Sequence, residues 1–261
     1  MAVPAASPHE PSYHTPTTAR EAAALLARHG ARGRFLAGGQ TLIPELCRAP
    51  RALDAIVDLR NIPEFGRIQR VGDHIEVGAM VTISAARRAL AADFPVIDTC
   101  FRHTANSAVR NRATLGGSIA LADPASEIST FLLAYDAEVL LEGAGGGRTV
   151  AIRALLHVPL THGTLVTGVR IPVPARDRAS FTEFLRRRSG GRSLAMALAR
   201  IAPGKTSVTV SGGVTQPVCL SGTSPSEALA ALDARRADFE SDAVRAWVVA
   251  AARRALAEAG A

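Results

Sequence analysis

The 261-residue chain is 48% hydrophobic and only 4% aromatic, so it can bury a globular core built from Ala, Leu, Val and Ile. Its formal charge of +7 is carried almost wholly by scattered Arg with no interleaved aromatics, so nucleic acid is not expected as a partner. Cys47, Cys100 and Cys219 lie far apart with no C-x-x-C spacing, so no iron–sulfur or zinc site is expected from this chain, and the odd count fits a reducing cytoplasm.

Residues 1–12 read as a loose arm. They have no basic cluster followed by an apolar run, and nowhere is there a stretch of about 18 apolar residues, so neither a signal peptide nor a membrane span is expected. Thr18-Ala19-Arg20-Glu21 has the spacing of a capping box and opens an Ala/Leu-rich helix that stops at Gly30. Arg34 to Ala37 is a short strand entering a first glycine pair, and Ala55 to Leu59 is a second strand. His74 to Met80 alternates as a strand, Thr82 caps a helix to about Ala91, and Phe94 to Thr104 reads as another helix with an early Pro95. A second glycine pair follows. Ser126 to Ala134 is apolar at helical spacing, Glu138 to Leu141 is a strand, and Gly143 to Gly147 is a hairpin-type turn before the strand Leu165 to Ile171. Beyond the linker at residues 172–177 come three strands, Phe181 to Arg187, Leu194 to Arg200 and Ser207 to Ser211. Ser224 and Ser241 then cap two closing helices. The last segment therefore predicts a small α+β unit with a three-stranded antiparallel sheet and helices on one face.

The two glycine pairs carry the chemistry. They are Leu36-Ala37-Gly38-Gly39-Gln40-Thr41-Leu42 and Thr114-Leu115-Gly116-Gly117-Ser118. Glycine permits φ > 0 and close approach of a ligand, so backbone N–H groups can converge on an anion. Gln40, Thr41, Thr114 and Ser118 add neutral donors. The patterns G-x-x-x-x-G-K-[ST] and G-x-G-x-x-G are both absent. Two such loops without a Lys or metal ligand suit a pyrophosphate that is held and not cleaved. Arg110 and Arg112 are further phosphate candidates. His74, His103, His157 and His162 show no ligand spacing, so no metal is expected, and no triad order points to a serine hydrolase.

With its flanks the pattern becomes familiar. The run 36–44, the run Val109-Arg110-Asn111-Arg112-Ala113-Thr114-Leu115-Gly116-Gly117-Ser118-Ile119-Ala120 and its continuation Asp123-Pro124-Ala125-Ser126-Glu127 resemble the FAD-binding medium subunit of the molybdenum hydroxylases. This is the family of xanthine dehydrogenase and the aerobic carbon monoxide dehydrogenase medium chains. Tyr13-His14, Val57-Asp58-Leu59 and Arg187-Arg188-Ser189-Gly190 match as well. The resemblance implies an α+β fold: a two-subdomain FAD-binding (PCMH-type) unit at residues 1–65 and 66–175, plus a C-terminal α+β domain at 176–261. It implies FAD as cofactor, held at Leu36, Ala37, Gly38, Gly39, Gln40, Thr41, Leu42, Thr114, Gly116, Gly117 and Ser118. It also implies Asp123 and Glu127 near the flavin, with Glu127 one methylene longer than the usual Asp, and Val166 on a strand touching the ligand. The chain then acts as an electron-transfer subunit, passing electrons to NAD⁺, a quinone or oxygen. A molybdenum-cofactor large subunit and a [2Fe–2S] small subunit are its implied partners, and no catalytic side chain is assigned. The chain departs from the pattern at Glu45-Leu46-Cys47 and at Gly190-Gly191-Arg192-Ser193. A stand-alone flavoenzyme and a protein that has lost its flavin are the alternatives.

Overall fold

The computed structural model describes residues 10–49, 52–143, 145–156, 160–185, 193–235, 238–239 and 241–261. The first elements are β1 (Ser12–His14), α1 (Ala19–His29), β2 (Gly33–Leu36), α2 (Leu42–Arg48) and β3 (Ala55–Asp58). The three strands form a parallel sheet in the order β1-β3-β2. Thr18 accepts the N–H of Glu21 and caps α1 as predicted, while Glu21 reaches one residue past the cap to the N–H of Thr17. The arm is structured from Ser12, where β1 pairs with β3; residues 1–9 lie outside the described residues. Tyr13 and Asp58, two of the matched positions, meet there. The Tyr13 hydroxyl donates to the buried Asp58 carboxylate, which also takes the Arg60 N–H at 3.0 Å and its guanidinium at 2.6 Å.

The central sheet is antiparallel and five-stranded, in the order β4-β5-β8-β6-β7. It uses β4 (Ile68–Val71), β5 (His74–Gly78), β6 (Glu138–Glu142), β7 (Arg148–Ala151) and β8 (Leu165–Pro172). Between β5 and β6 run α3 (Ile83–Leu90), α4 (Val96–His103), α5 (Ser107–Arg110), α6 (Leu115–Leu121) and α7 (Glu127–Ala134); the short α8 (Ile152–Leu155) follows β7. Phe94, Phe101, Phe131 and Tyr135 stack edge-on or tilted at 4.8–5.5 Å, so four of the few aromatic rings make one cluster in the main core.

The last sheet comprises β9 (Arg178–Phe184), β10 (Ala195–Ala202), β11 (Lys205–Ser211) and β12 (Val218–Gly222), in the order β12-β11-β10-β9. It has four strands where the sequence predicts three. β12 is five residues squeezed between Pro217 and a capped helix, too short for a periodic signal. β9 ends at Phe184, and the remainder of the strand expected to Arg187, with the Arg188–Gly190 match, lies outside the described residues. α9 (Pro225–Asp233) and α10 (Asp242–Gly260) cover one face.

β10 is buried on both faces, and its alternation explains how this sheet docks. Ala195, Ala197 and Ala199 pack under α9 and α10, whose own contact residues include Ala228, Ala251, Ala252 and Ala255. Met196 and Leu198 point the other way and join the main core. On that side the sheet meets α7. Ser211 bonds Thr130, and the Arg200 guanidinium is held by Asp177 at 2.7 Å, by the Ala134 carbonyl at 2.6 Å and over the Tyr135 ring at 4.0 Å. α7 is thus a shared spine, buried from Ile128 to Ala134.

Candidate functional site

The two glycine pairs lie on opposite walls of one cleft of about 320 Å³. They do different physical work. The first pair forms the turn from β2 to α2. Gly39 has φ +71°, a backbone state that a side chain opposes. Gly38 lies flat against the segment before α6: a Cβ there would sit 2.1 Å from the Arg112 carbonyl oxygen. Among the described residues, no protein acceptor takes the N–H groups of Gly39, Gln40, Thr41 or Leu42. The Gln40 side-chain amide turns back onto the Gly38 carbonyl at 3.2 Å, which braces the turn. Four backbone N–H groups without a protein acceptor therefore belong to residues that line the cleft.

The second pair is not a loop. Gly116 and Gly117 form the first turn of α6, and its N–H groups are committed within the protein. Leu115 donates to Val81 (2.9 Å), Gly116 to Ala79 (2.9 Å), Ser118 to Thr114 (3.0 Å), and Gly117 to the Thr114 hydroxyl (3.2 Å). Gly116 is glycine because of packing: a Cβ there would lie 2.6 Å from that of Ala79. Gly117 faces Ala37 across the cleft, with 3.8 Å between its would-be Cβ and that of Ala37. This wall supplies shape, and Ser118 supplies a hydroxyl.

Of the predicted residues, the cleft gathers Ala37 to Leu42, Thr114, Gly116, Gly117, Ser118 and Val166. Leu36, Asp123 and Glu127 do not line it. Both of the last two follow a left-handed bend at Ala122 (φ +51°), which ends α6. Asp123 accepts the Ala125 N–H at 2.9 Å and shapes the turn into α7. Glu127 opens α7. Burial pushes its carboxyl up to about 7, helped by the negative charges of Glu183 and Asp123, while the Thr104 hydroxyl holds Oε2 at 3.2 Å and opposes the rise.

The cleft also takes in residues the sequence reading missed. Phe35, Leu59 and Leu165 give it apolar wall, and Arg34, Glu45 and Thr164 give it polar groups. Arg34 and Phe35 carry a signal in hindsight, because a strand that feeds a binding turn presents its preceding residues to the same ligand. Arg110, a phosphate candidate by sequence, instead donates Nη1 to the carbonyls of Thr104 (2.9 Å) and Ala105 (2.8 Å). Among the described residues, no group of three or more His, Cys, Asp or Glu is placed to hold a metal, and no helix is long and apolar enough to cross a membrane. His157 and Gly190 to Arg192 lie outside the described residues.

These features fit a dinucleotide diphosphate. Bare N–H donors meet anionic oxygens without an intervening Cβ, and apolar walls flank them for the less polar parts of the ligand.

Comparison with known proteins points the same way. The chain is 33% identical to the carbon monoxide dehydrogenase medium chain of Afipia carboxidovorans over 78% of its length and 73% of the relative's. It is 34% identical to the nicotine 6-hydroxylase medium subunit of Paenarthrobacter nicotinovorans over 70% of its length and 66% of the relative's. Its fold superimposes on a chain of reconstituted CO dehydrogenase from Oligotropha carboxidovorans with a TM-score of 0.85 at 28% identity, covering 97% of this chain and 98% of that one. The model of the FAD binding domain in molybdopterin dehydrogenase matches residues 7–174, which contain both glycine pairs and every wall of the cleft. The chain belongs to this family of FAD-binding domains, and its cofactor is FAD.

Proposed function

We propose that the chain is the flavin-carrying, electron-transfer subunit of a cytoplasmic three-component molybdenum hydroxylase. A molybdenum-cofactor large subunit and a [2Fe–2S] small subunit are its partners in this reading. The observation that carries it is the turn at residues 38–42, which lines the cleft and whose N–H groups from Gly39 to Leu42 lack protein acceptors among the described residues. Medium chains and subunits of other multi-component dehydrogenases among its relatives support the assembly. The wide spacing of its three cysteines supports it too, since the iron–sulfur ligands then come from another chain.

Gly39 to Leu42 would hold the diphosphate, with the Ser118 and Thr41 hydroxyls as neutral donors. Ala37 and Gly117 would close around it, and Val166 with Leu165 would press on the apolar part. Bound FAD supplies electron exchange between an iron–sulfur donor and a terminal acceptor: NAD⁺, a quinone or oxygen. The chain's own residues bind and orient the cofactor and limit water access, so no side-chain acid or base is assigned to catalysis. Purification from the native host tests the reading. A yellow preparation with a flavin spectrum that brings down iron–sulfur and molybdenum proteins is the expected result; a colourless lone chain that takes up no FAD contradicts it.

A further inference from the structure

Among the described residues that line the cleft, Arg34 is the one cation and Glu45 the one anion. Arg34 stands near the start of β2. At roughly 3.3 Å per residue, about 10 Å of strand separates it from Ala37, where the first turn begins. Its guanidinium is turned farther still from that turn. Nη1 donates to the carbonyls of Ala31 and Gly33, both at 2.7 Å, and both residues precede Arg34 in the chain. Two acceptors on one nitrogen pin the half-buried group, and they leave Nε and Nη2 as donors with no protein acceptor among the described residues. Phe35 and the buried Leu59 line the same cleft.

We propose that Arg34 is a specificity-determining residue: it recognises the adenosine half of FAD and so selects the dinucleotide over the mononucleotide FMN. This rests on placing the FAD diphosphate at Gly39 to Leu42. FAD carries one half on each side of its diphosphate, so a molecule held at that turn sends one half along β2. The diphosphate itself is not the partner of Arg34, because the guanidinium points upstream, away from the turn. A pinned guanidinium offers in-plane donors and a flat cationic face. Adenosine answers both: its ring nitrogens and ribose oxygens accept hydrogen bonds, and its base presents a π-face. The flavin half suits this place less well. Its ring exchanges electrons with other redox groups in the proposed function and has to be reached by them. The adenosine half carries no electrons, so it is the half that a cation fixed to the main chain can hold between apolar side chains.

The test measures binding of FAD, FMN and ADP to the full chain stripped of its flavin. Quenching of flavin fluorescence reads FAD and FMN, and displacement of FAD reads ADP. Wild type is expected to bind FAD more tightly than FMN and to be competed by ADP. Arg34→Met weakens FAD and ADP by about tenfold, the loss of one charge-assisted hydrogen bond, and leaves FMN within about twofold. Arg34→Lys keeps the charge without the planar fork, so it shifts the same affinities by less, and it decides the matter if the Met variant unfolds. FMN weakened as much as FAD puts Arg34 on the flavin half and overturns the proposal. So does unchanged binding of FAD and ADP in Arg34→Met, or in Arg34→Lys where only that variant folds, and so does a wild type that binds FMN as tightly as FAD. Failure of the cofactor reading is separately visible: wild type then takes up no flavin, or Gly39→Val, which disturbs the shared phosphate grip, leaves FAD and FMN affinity unchanged.

Discussion

The same dipeptide occurs twice on one cleft and answers two unrelated demands. At Gly38-Gly39 the backbone itself is the functional group. One glycine has φ +71°, the other lies against a carbonyl, and among the described residues the N–H groups of Gly39 to Leu42 find no protein acceptor. At Gly116-Gly117 the backbone is already satisfied by Ala79, Val81 and Thr114, and glycine serves to let a helix approach the end of the central sheet. A sequence motif therefore reports that a side chain is excluded, without saying whether a ligand or a neighbouring residue excludes it. In the proposed reading, the first turn grips the diphosphate and the second pair walls it.

Substitutions separate the two roles, and they rank by what a Cβ would meet. Gly38→Ala is expected to do the most damage, since the nearest atom is a main-chain oxygen at 2.1 Å that has no rotamer to yield. A cost of about 3 kcal/mol and loss of flavin are predicted, read by denaturant unfolding and absorbance. Gly116→Ala meets the Cβ of Ala79 at 2.6 Å and should cost about 2 kcal/mol, with FAD still bound by the protein that remains folded. Gly39→Val should cost about 1–2 kcal/mol, the penalty of a side chain at positive φ, yet it should remove FAD because the turn must flip its donors away. Gly117→Ala is the mildest. Its backbone is helical and its nearest neighbour is a hydroxyl at 3.0 Å, so stability should change by less than about 1 kcal/mol in thermal unfolding. Equal effects at Gly38 and Gly117 would erase the distinction between the two pairs.

The pH response sharpens the same contrast, because a strongly displaced carboxyl, that of Glu127, lies past the second pair. Glu127 is raised to about 7 in the folded chain. Its contribution is fully present below the ordinary carboxylate range and is lost as pH rises toward 7. Glu127→Gln should flatten the pH dependence of stability between about 4.5 and 7 and raise stability at its upper end, measured by urea unfolding at several pH values.

Much of the architecture was legible because local chemistry announces it. Thr18 with Glu21, Ser224 with Glu227, and Ser241 before α10 place three helix starts where the caps predict. The alternation of His74 to Gly78 gives β5 its buried Ile75 and Val77. The failures have equally local causes. Thr-Leu-Gly-Gly-Ser reads as a turn because glycine is a poor helix former, but tertiary bonds to Ala79 and Val81 fix it as α6. β4 shows residues such as Gln69 and Arg70 to solvent on an edge, so its pattern carries no apolar face. The site divides the same way. The turn at 37–42 and the wall at 114–118 were visible as motifs, whereas the left-handed alanine at 122, which comes between that wall and Asp123, carries no sequence signal.

The central claim is that diphosphate binding belongs to the first turn. The most direct measurement follows backbone amide ¹H–¹⁵N resonances of the isotopically labelled chain as FAD is added. Downfield proton shifts at Gly39, Gln40, Thr41 and Leu42, with only small changes at Leu115, Gly116, Gly117 and Ser118, are the predicted result. Equal or larger downfield shifts at residues 115–118 would contradict it.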